Sequence, residues 1–287
     1  MSGVLTLVAT PIGNLGDLAP RAVEAFASAD LVCCEDTRRT GSLLKHVGVH
    51  VAELRRLDDH TEFEAIPQIL SRLGAGEQVV LVSDAGTPGI SDPGERLVAA
   101  AIEAGFTVTT VPGPVAAVAA LVASGLPSGR FVFEGFLARK GRERAAQLAA
   151  IGAESRTTVL YESPNRLGAT LGALAEVCGP QRRAVVGREL TKLHEELRRG
   201  TLAELAEWAA AGVKGEIVVV VAGADAVAEI DDEGLVARLR ELLADGASRR
   251  DAIDRVTAET GTRRGRVYDL ALGLDPGDIH RGVTPPP

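Results

Sequence analysis

Residues 79–94 constrain the fold most. Val79-Val80-Leu81-Val82 runs straight into Ser83-Asp84-Ala85-Gly86-Thr87-Pro88-Gly89-Ile90-Ser91-Asp92-Pro93-Gly94. An apolar run without polar alternation suits a strand covered by helices on both faces, as in a parallel sheet. The loop after it is dense in Gly, Pro and Asp, so it ends the strand sharply and lets backbone N–H and C=O groups come close to a ligand. Similar loops follow other apolar runs. Thr10-Pro11-Ile12-Gly13-Asn14-Leu15-Gly16-Asp17 follows Val4–Ala9, Glu35-Asp36-Thr37-Arg38-Arg39 follows Leu31–Cys34, and Pro112-Gly113-Pro114 follows Thr107–Val111. In open α/β sheets ligands bind beyond the carboxyl ends of the strands. A single Gly-Pro loop reads as a tight turn. Four such loops on successive strand ends read as a binding site for a small polar ligand.

The alternation behind these loops fits an α/β domain. Strands are expected at Val4–Ala9, Leu31–Glu35, Val51–Leu57, Val79–Ser83 and Thr107–Val111. Helices are expected at Pro20–Ser28, Thr40–Val47, Glu62–Leu73 and Gly94–Ala104. The two prolines around Gly113 mark a hinge. A second α/β block follows, with strands at Phe131–Glu134, Thr158–Tyr161, Ala184–Glu189 and Glu216–Ala222. Its helices are expected at Val115–Ser124, Arg142–Ile151, Asn165–Val177 and Leu202–Ala211. Strand signals stop after Asp231. Leu235–Leu243, Arg249–Glu259 and Arg264–Leu272 read as helices, with Ser248 and Thr262 as N-caps and Gly261 at a helix C-terminus. The expected division is an N-terminal α/β subdomain over 1–112, a C-terminal α/β subdomain over 113–228, and a helical appendage over 229–287 ending in a frayed Pro285-Pro286-Pro287 tail.

Several classes are excluded by composition. Of the 287 residues, 46% are hydrophobic and 24% charged, which rules out global disorder. The N-terminus has no basic segment followed by a signal-length apolar run, and no apolar stretch is long enough to span a bilayer, so a cytoplasmic protein with no membrane partner is expected. Cys33, Cys34 and Cys178 show no metal spacing and read as buried free thiols; the five histidines form no ligand pattern, so no metal is expected. There is no P-loop ending in Gly-Lys-Ser/Thr, and no G-x-G-x-x-G after the first strand. The net charge of −8 argues against a protein that coats nucleic acid, leaving room only for a local basic cleft.

The loop sequences carry a resemblance. The blocks at 10–15, 35–38 and 83–94 resemble the signature segments of the tetrapyrrole methylase superfamily, in particular its branch that acts on small-subunit ribosomal RNA. Further blocks agree: Ser124-Gly125-Leu126-Pro127, Phe133-Glu134-Gly135-Phe136-Leu137, Tyr161-Glu162-Ser163-Pro164-Asn165-Arg166, Arg188-Glu189-Leu190-Thr191-Lys192 and Lys214-Gly215-Glu216-Ile217. The resemblance spans nearly the whole chain in order. It departs at Asn165 and Ala138, where members often carry His and Pro. It implies two α/β subdomains of the tetrapyrrole methylase type with S-adenosyl-L-methionine between them, and a homodimer. It also implies 2′-O-methylation of a cytidine ribose in the decoding region of 16S rRNA, presented as RNA or as the assembled small subunit. Cofactor contacts are then expected at Ile12, Gly86, Thr87, Pro88, Ile90, Gly113 and Pro114. Leu160, Tyr161 and Gly215–Ile217 are expected to complete the pocket from the second block.

A sulfonium donor is already activated, so the protein's task is in-line alignment, which can supply about 7–11 kcal/mol of a barrier. The acceptor hydroxyl loses its proton as the bond forms, and a nearby base would help by about 10²–10⁴-fold. Candidates are Asp36 and Glu35 first, beside cationic Arg38 and Arg39, then Lys140, with Asp92 and Glu162 also in view. Asp84 and Asp92 read equally well as carboxylates bonding loop N–H groups. RNA contacts are expected at Arg38, Arg39, Arg139, Arg142 and Arg166, though a lone basic pair more often marks a solvated helix face. The tail from Ser248 to Leu272 reads as a helix-turn-helix with Arg263, Arg264 and Arg266 opening its last helix, suited to docking RNA or ribosomal protein. Two other readings stand beside this one: a methyltransferase for a precorrin-like ring, and a non-enzymatic nucleic-acid-binding protein.

Overall fold

The computed structural model describes residues 3–224 and 231–274. The chain forms two compact units, Met1–Gly223 and Ala224–Pro287.

The first unit opens with a five-stranded parallel sheet in the order β3-β2-β4-β1-β5. Its strands are β1 (Val4–Val8), β2 (Leu31–Cys34), β3 (Leu54–Arg56), β4 (Gln78–Leu81) and β5 (Thr107–Val111). The helices between them are α1 (Pro20–Ala27), α2 (Thr37–His46), α3 (Glu62–Gly74) and α4 (Glu95–Glu103). Successive side chains of a strand point to opposite faces, and β2 shows the result. Leu31 and Cys33 join Leu5, Val79 and Leu81 under α3 and α4, while Val32 and Cys34 join Val8, Val80 and Phe26 under α1 and α2. Both thiols are buried, and burial pushes that of Cys33 up to about 12. Helix α2 starts at Thr37, three residues before the expected start. The Asp36 side chain caps it by accepting from the Arg38 N–H at 2.8 Å.

Pro112-Gly113-Pro114 falls where the chain passes to a second five-stranded sheet, ordered β6-β7-β10-β8-β9. Its strands are β6 (Phe131–Phe136), β7 (Thr157–Glu162), β8 (Arg183–Arg188), β9 (Glu196–Thr201) and β10 (Ile217–Val221). The helices here are α5 (Ala116–Ser124), α6 (Gly141–Ala153), α7 (Leu167–Cys178) and α8 (Leu202–Ala210). Only β6 and β7 pair in parallel; β7–β10, β10–β8 and β8–β9 are antiparallel. Leu160, Val186, Val219 and Val221 face α7 and α8, whereas Val159, Val185, Val218 and Val220 face α5.

Strand β9 was not expected. Its Glu-Leu-Arg-Arg-Gly-Thr sequence has no apolar alternation, as befits an edge strand blunted by charge. Its arginines are held locally. Arg198 lies 4.9 Å over the Trp208 ring, and Arg199 donates to the carbonyls of Ala123 and Ser124 at the end of α5.

The second unit contains α9 (Asp232–Ala244), α10 (Arg249–Thr260) and α11 (Arg264–Leu272), which bury Leu235, Leu239, Ile253, Val256 and Val267 among themselves. Ser248 caps α10, and Gly261 ends it in the left-handed conformation at φ 65°. The cap of α11 is Arg263 rather than the expected Thr262, whose N–H turns back to Thr260 Oγ1 at 3.2 Å. The boundary expected at 228/229, His280 and the Pro285-Pro286-Pro287 tail lie outside the described residues.

Candidate functional site

Hydrogen bonds tie together the loops at the carboxyl ends of β1, β4 and β5. Thr10 and Gly86 exchange N–H···O bonds of 2.8 and 3.0 Å, and Thr87 Oγ1 donates to Pro114 O at 3.1 Å. Gly86 sits at φ 87° between two neighbours: a Cβ there would meet Ile12 Cγ2 at 3.4 Å and Pro114 O at 3.5 Å. Those are ordinary contacts, so it is the left-handed backbone, not lack of space, that would strain a side chain here.

The second sheet faces these loops across a cleft of about 360 Å³. The lining from the first sheet is Ile12, Ala85, Gly86, Thr87, Ile90, Ser91 and Asp92. Val115, Ala116, Phe136, Tyr161, Glu162, Ser163, Pro164, Leu190 and Gly215–Val218 complete it. Tyr161 is fixed by its hydroxyl, which accepts from the Ala117 N–H at 3.2 Å, and by ring contacts with Phe133 and Phe136 at 5.0 and 5.5 Å between centroids. Glu162 is fully buried. Its carboxylate accepts from Ser163 N at 2.8 Å and Thr170 Oγ1 at 2.6 Å, and pairs with Arg166 Nε at 3.3 Å. A second hollow of about 470 Å³ adjoins the loops after β1 and β4, lined among others by Thr10, Pro11, Arg39, Ser42, His46 and Asp84.

The expected cofactor residues divide. Ile12, Gly86, Thr87, Ile90 and Tyr161 line the cleft together with the Gly215–Ile217 segment. Pro88, Gly113 and Pro114 are not lining residues, though Pro114 O accepts the Thr87 hydroxyl. Leu160 is in the core: on β7 it points away from Tyr161 into the cluster under α7.

Of the expected bases, Asp92 and Glu162 line the cleft, whereas Asp36, Glu35 and Lys140 lie elsewhere. Asp36 Oδ1 accepts from Arg38 N and Nε, and Oδ2 from Arg38 Nη2 at 2.7 Å. These bonds hold its carboxyl well below the usual range and make it a helix cap outside the cleft. Glu35 accepts from Asp84 N at 3.2 Å, and Asp84 accepts from Asp36 N at 3.0 Å, so this pair cross-links the loops after β2 and β4. Burial raises the Glu35 carboxyl, with Asp84 and Asp59 adding repulsion. Lys140 is exposed at the start of α6 and is not a lining residue. Asp92 does line the cleft. Burial, reinforced by the negative charge of Glu35, pushes its carboxyl up to about 7.

The expected substrate arginines also divide. Arg139 and Arg142 are exposed and, like Lys140, form no ion pair among the described residues. Arg39 is 65% exposed with a loose contact to Asp84 at 3.6 Å. Arg38 is exposed but paired with Asp36. Arg166 is committed inside the fold, donating to the carbonyls of Leu137 and Ala138 as well as pairing with Glu162. In the helical unit all three arginines of the expected trio are exposed; Arg264 pairs with Asp254 and Arg266 with Asp232, while Arg263 forms no ion pair among the described residues. Among the described residues, no cluster of His, Cys, Asp or Glu is arranged to hold a metal ion, and no helix is long and apolar enough to cross a membrane.

One parallel and one mixed sheet, connected through Pro112-Gly113-Pro114 and sharing one cleft at their loop edges, make a distinctive architecture. The family described as tetrapyrrole (corrin/porphyrin) methylases matches residues 4–206. Ribosomal RNA small subunit methyltransferase I of Synechocystis is 46% identical over 276 residues, covering 95% of this chain and 99% of that one. The protein of the same name from Mycobacterium tuberculosis is 49% identical over 273 residues, covering 94% and 95%. This chain belongs to the tetrapyrrole methylase family. Solved structures share the fold. Methyltransferase CobJ aligns with a TM-score of 0.60 at 22% identity, over 78% of this chain and 95% of that one. The uroporphyrin-III C-methyltransferase of Thermus thermophilus, solved with S-adenosylhomocysteine, aligns at 0.55 and 19% identity, over 76% and 96%.

Within this family framework, sequence reasoning missed Phe136 and Leu190 as cleft residues. Phe136 had a readable signal: Phe-Glu-Gly-Phe places a glycine inside a strand, a common mark of a bulge. Leu190 had only its place in the 188–192 block, which did not single it out as a lining residue.

Proposed function

We propose that this protein is an S-adenosylmethionine-dependent methyltransferase that methylates the ribose 2′-oxygen of a cytidine in the decoding region of 16S rRNA. The observation that carries the proposal is the apolar cleft rimmed by hydrogen-bonded Gly/Pro loops, in a chain nearly half identical over its length to proteins named for this class of activity. The residues fit an adenosyl sulfonium. The cleft is of small-ligand size, Gly86 presents bare backbone in its wall, and Ile12, Ile90, Leu190, Ile217 and Val218 offer apolar walls.

When bound, S-adenosylmethionine supplies a methyl group on an electron-poor sulfur. The protein supplies position. The Thr10–Gly86 bridge and the Thr87–Pro114 bond hold the loops in shape before binding, so little entropy is lost on association. Tyr161, braced by Ala117, fixes the opposite wall. Lining the site mainly with aliphatic groups and backbone avoids over-stabilising the positive ground state, which would not raise the rate.

Arg39 in the first turn of α2, beside the second hollow, and Arg139, Lys140 and Arg142 at the start of α6 are exposed cations of an otherwise acidic protein, and phosphates can be held there. A homodimer is part of the reading. Helix α5 is apolar all round, and Val118 and Val122 are 44% and 69% exposed, as expected of a helix covered by another chain. A cytoplasmic location follows from the substrate.

The test is transfer of labelled methyl to small ribosomal subunits from cells lacking the protein, followed by mapping of 2′-O-methylation. One labelled cytidine in the decoding region is the expected result. Label on a precorrin and none on the subunit would replace this reading with the ring-methylating one. Absence of S-adenosylmethionine binding in calorimetry would replace it with that of a non-enzymatic binder.

A further inference from the structure

Two unusual pieces of backbone meet at the mouth of the cleft. Ser91 is a non-glycine residue at φ 62°, a conformation that costs energy and persists where the surroundings enforce it. Opposite it, β6 carries a bulge: Phe133 pairs with Val159 and Gly135 with Leu160, leaving Glu134 as an extra residue. Gly135 at the bulge has φ 60°, and a Cβ there would lie 3.0 Å from Ser91 Oγ. Bulges re-aim the side chains that follow them. Here the side chain after the bulge is Phe136, which lines the cleft yet stays 55% exposed. The residue after Ser91 is Asp92, which lines the same cleft.

We propose that Asp92 and Phe136 form the acceptor subsite, in which the Asp92 carboxylate takes the proton of the ribose 2′-hydroxyl and the Phe136 ring stacks on the attached base. This rests on the methyltransferase reading above and deepens it. Unstacked RNA bases are recognised by stacking on aromatic side chains, and Phe136 is the exposed aromatic ring at this mouth among the described residues. A general base works best with a pKa near the working pH. Asp92 has the environment for that. Burial raises its carboxyl, as do the charges of Glu35 and Asp84 on the neighbouring strand-end loops and of Asp59 after β3, while a hydrogen bond with Ser83 opposes them. Tyr161, whose phenol is also raised by burial, faces it from β7. Arg39, paired with Asp84, offsets the charge of Glu35 rather than acting on Asp92 directly.

The step balances. The 2′-oxygen forms its bond to the donor methyl carbon as the methyl–sulfur bond breaks, and that electron pair stays on sulfur. The hydroxyl proton moves to Asp92, which later releases it to water. One positive and one negative charge disappear together.

The experiment compares Asp92→Asn and Phe136→Ala with the parent on small subunits lacking the modification. Affinity for S-adenosylhomocysteine is measured alongside, as is binding of subunits without the methyl donor. Asp92→Asn should lower kcat by about 10²–10⁴-fold, remove the rise in rate centred near pH 7, and leave S-adenosylhomocysteine affinity within threefold. Phe136→Ala should weaken subunit binding by about 5- to 100-fold, again sparing S-adenosylhomocysteine. Asp92→Asn with a near-parental rate and an unchanged pH profile overturns the assignment, as does loss of S-adenosylhomocysteine binding in both variants. Parent protein that transfers no methyl to the subunits overturns the methyltransferase reading and this inference with it, so the two failures are separable.

Discussion

Glu162 offers the sharpest test of how the second wall of the cleft is built. Its side chain is wholly inaccessible to water, and its two oxygens serve Ser163 N, Thr170 Oγ1 and Arg166 Nε. Removing one partner of a buried pair costs about 3–5 kcal/mol, because the remaining charge is left uncompensated. Arg166 is 28% exposed and keeps its bonds to the carbonyls of Leu137 and Ala138, so water and those carbonyls soften the loss. Glu162→Ala is therefore expected to cost about 2–4 kcal/mol, roughly 1 kcal/mol less than that range. For a unit of this size, each kcal/mol corresponds to about 2–4 °C in Tm, so melting should fall by roughly 4–16 °C. Glu162→Gln keeps an acceptor for Ser163 but loses the charge facing Arg166, and should fall between parent and Ala variant. Urea and thermal unfolding followed by circular dichroism would measure both. A loss under 1 kcal/mol for Glu162→Ala, or Glu162→Gln no better than Ala, would refute the view that this buried carboxylate holds the wall together.

Three further outcomes are expected. The Asp92 carboxyl titrates near 7 in the folded protein against 3.8 in its ordinary state, so the folded form binds the extra proton and this group's stabilisation is present in acid and lost as pH rises toward 7. Asp92→Asn should remove that slope, gaining on the parent by roughly 2 kcal/mol between pH 4 and 8 once screening by water is allowed for, as read by urea midpoints. Gly223→Ala would set a Cβ 1.9 Å from Ser155 O, a clash with backbone that no rotamer relieves, and should destabilise by about 3 kcal/mol or more in thermal unfolding. Deleting residues beyond Ile230 should weaken subunit binding while S-adenosylmethionine affinity survives, measured by filter binding and calorimetry; equal loss of both would show that the helical unit is not a docking element.

Much of the fold was legible because its signals are local. The middle strands of the first sheet, β2 and β4, are short runs buried on both faces, and these stand out against the polar loops that end them. Strand β9 was invisible for the opposite reason: its stability comes from pairing with β8 and from Arg198 and Arg199 anchoring to Trp208 and to the end of α5, all long-range contacts. The site followed the same rule. Gly86, Thr87 and Ile90 were readable from a loop whose composition is unusual in itself. Asp36 misled, because an acidic residue beside arginines at a strand end looks the same whether it caps a helix or abstracts a proton. The decision depended on whether its oxygens were already engaged, which only the fold reveals. Leu160 was placed one residue wrong in effect, since adjacent residues on β7 face opposite sides of the sheet.

The position of β10 has a consequence for synthesis. This strand is the last of its sheet to leave the ribosome, yet it occupies the middle, with β7 on one side and β8 on the other. Until residues 217–221 emerge, two strand edges stand open and ready to pair with the wrong chain. Ile217 and Val218 also belong to the cleft. A nascent or truncated chain ending before them is thus both sticky and unable to hold its ligand, and the pocket comes into being at the moment the aggregation hazard is removed.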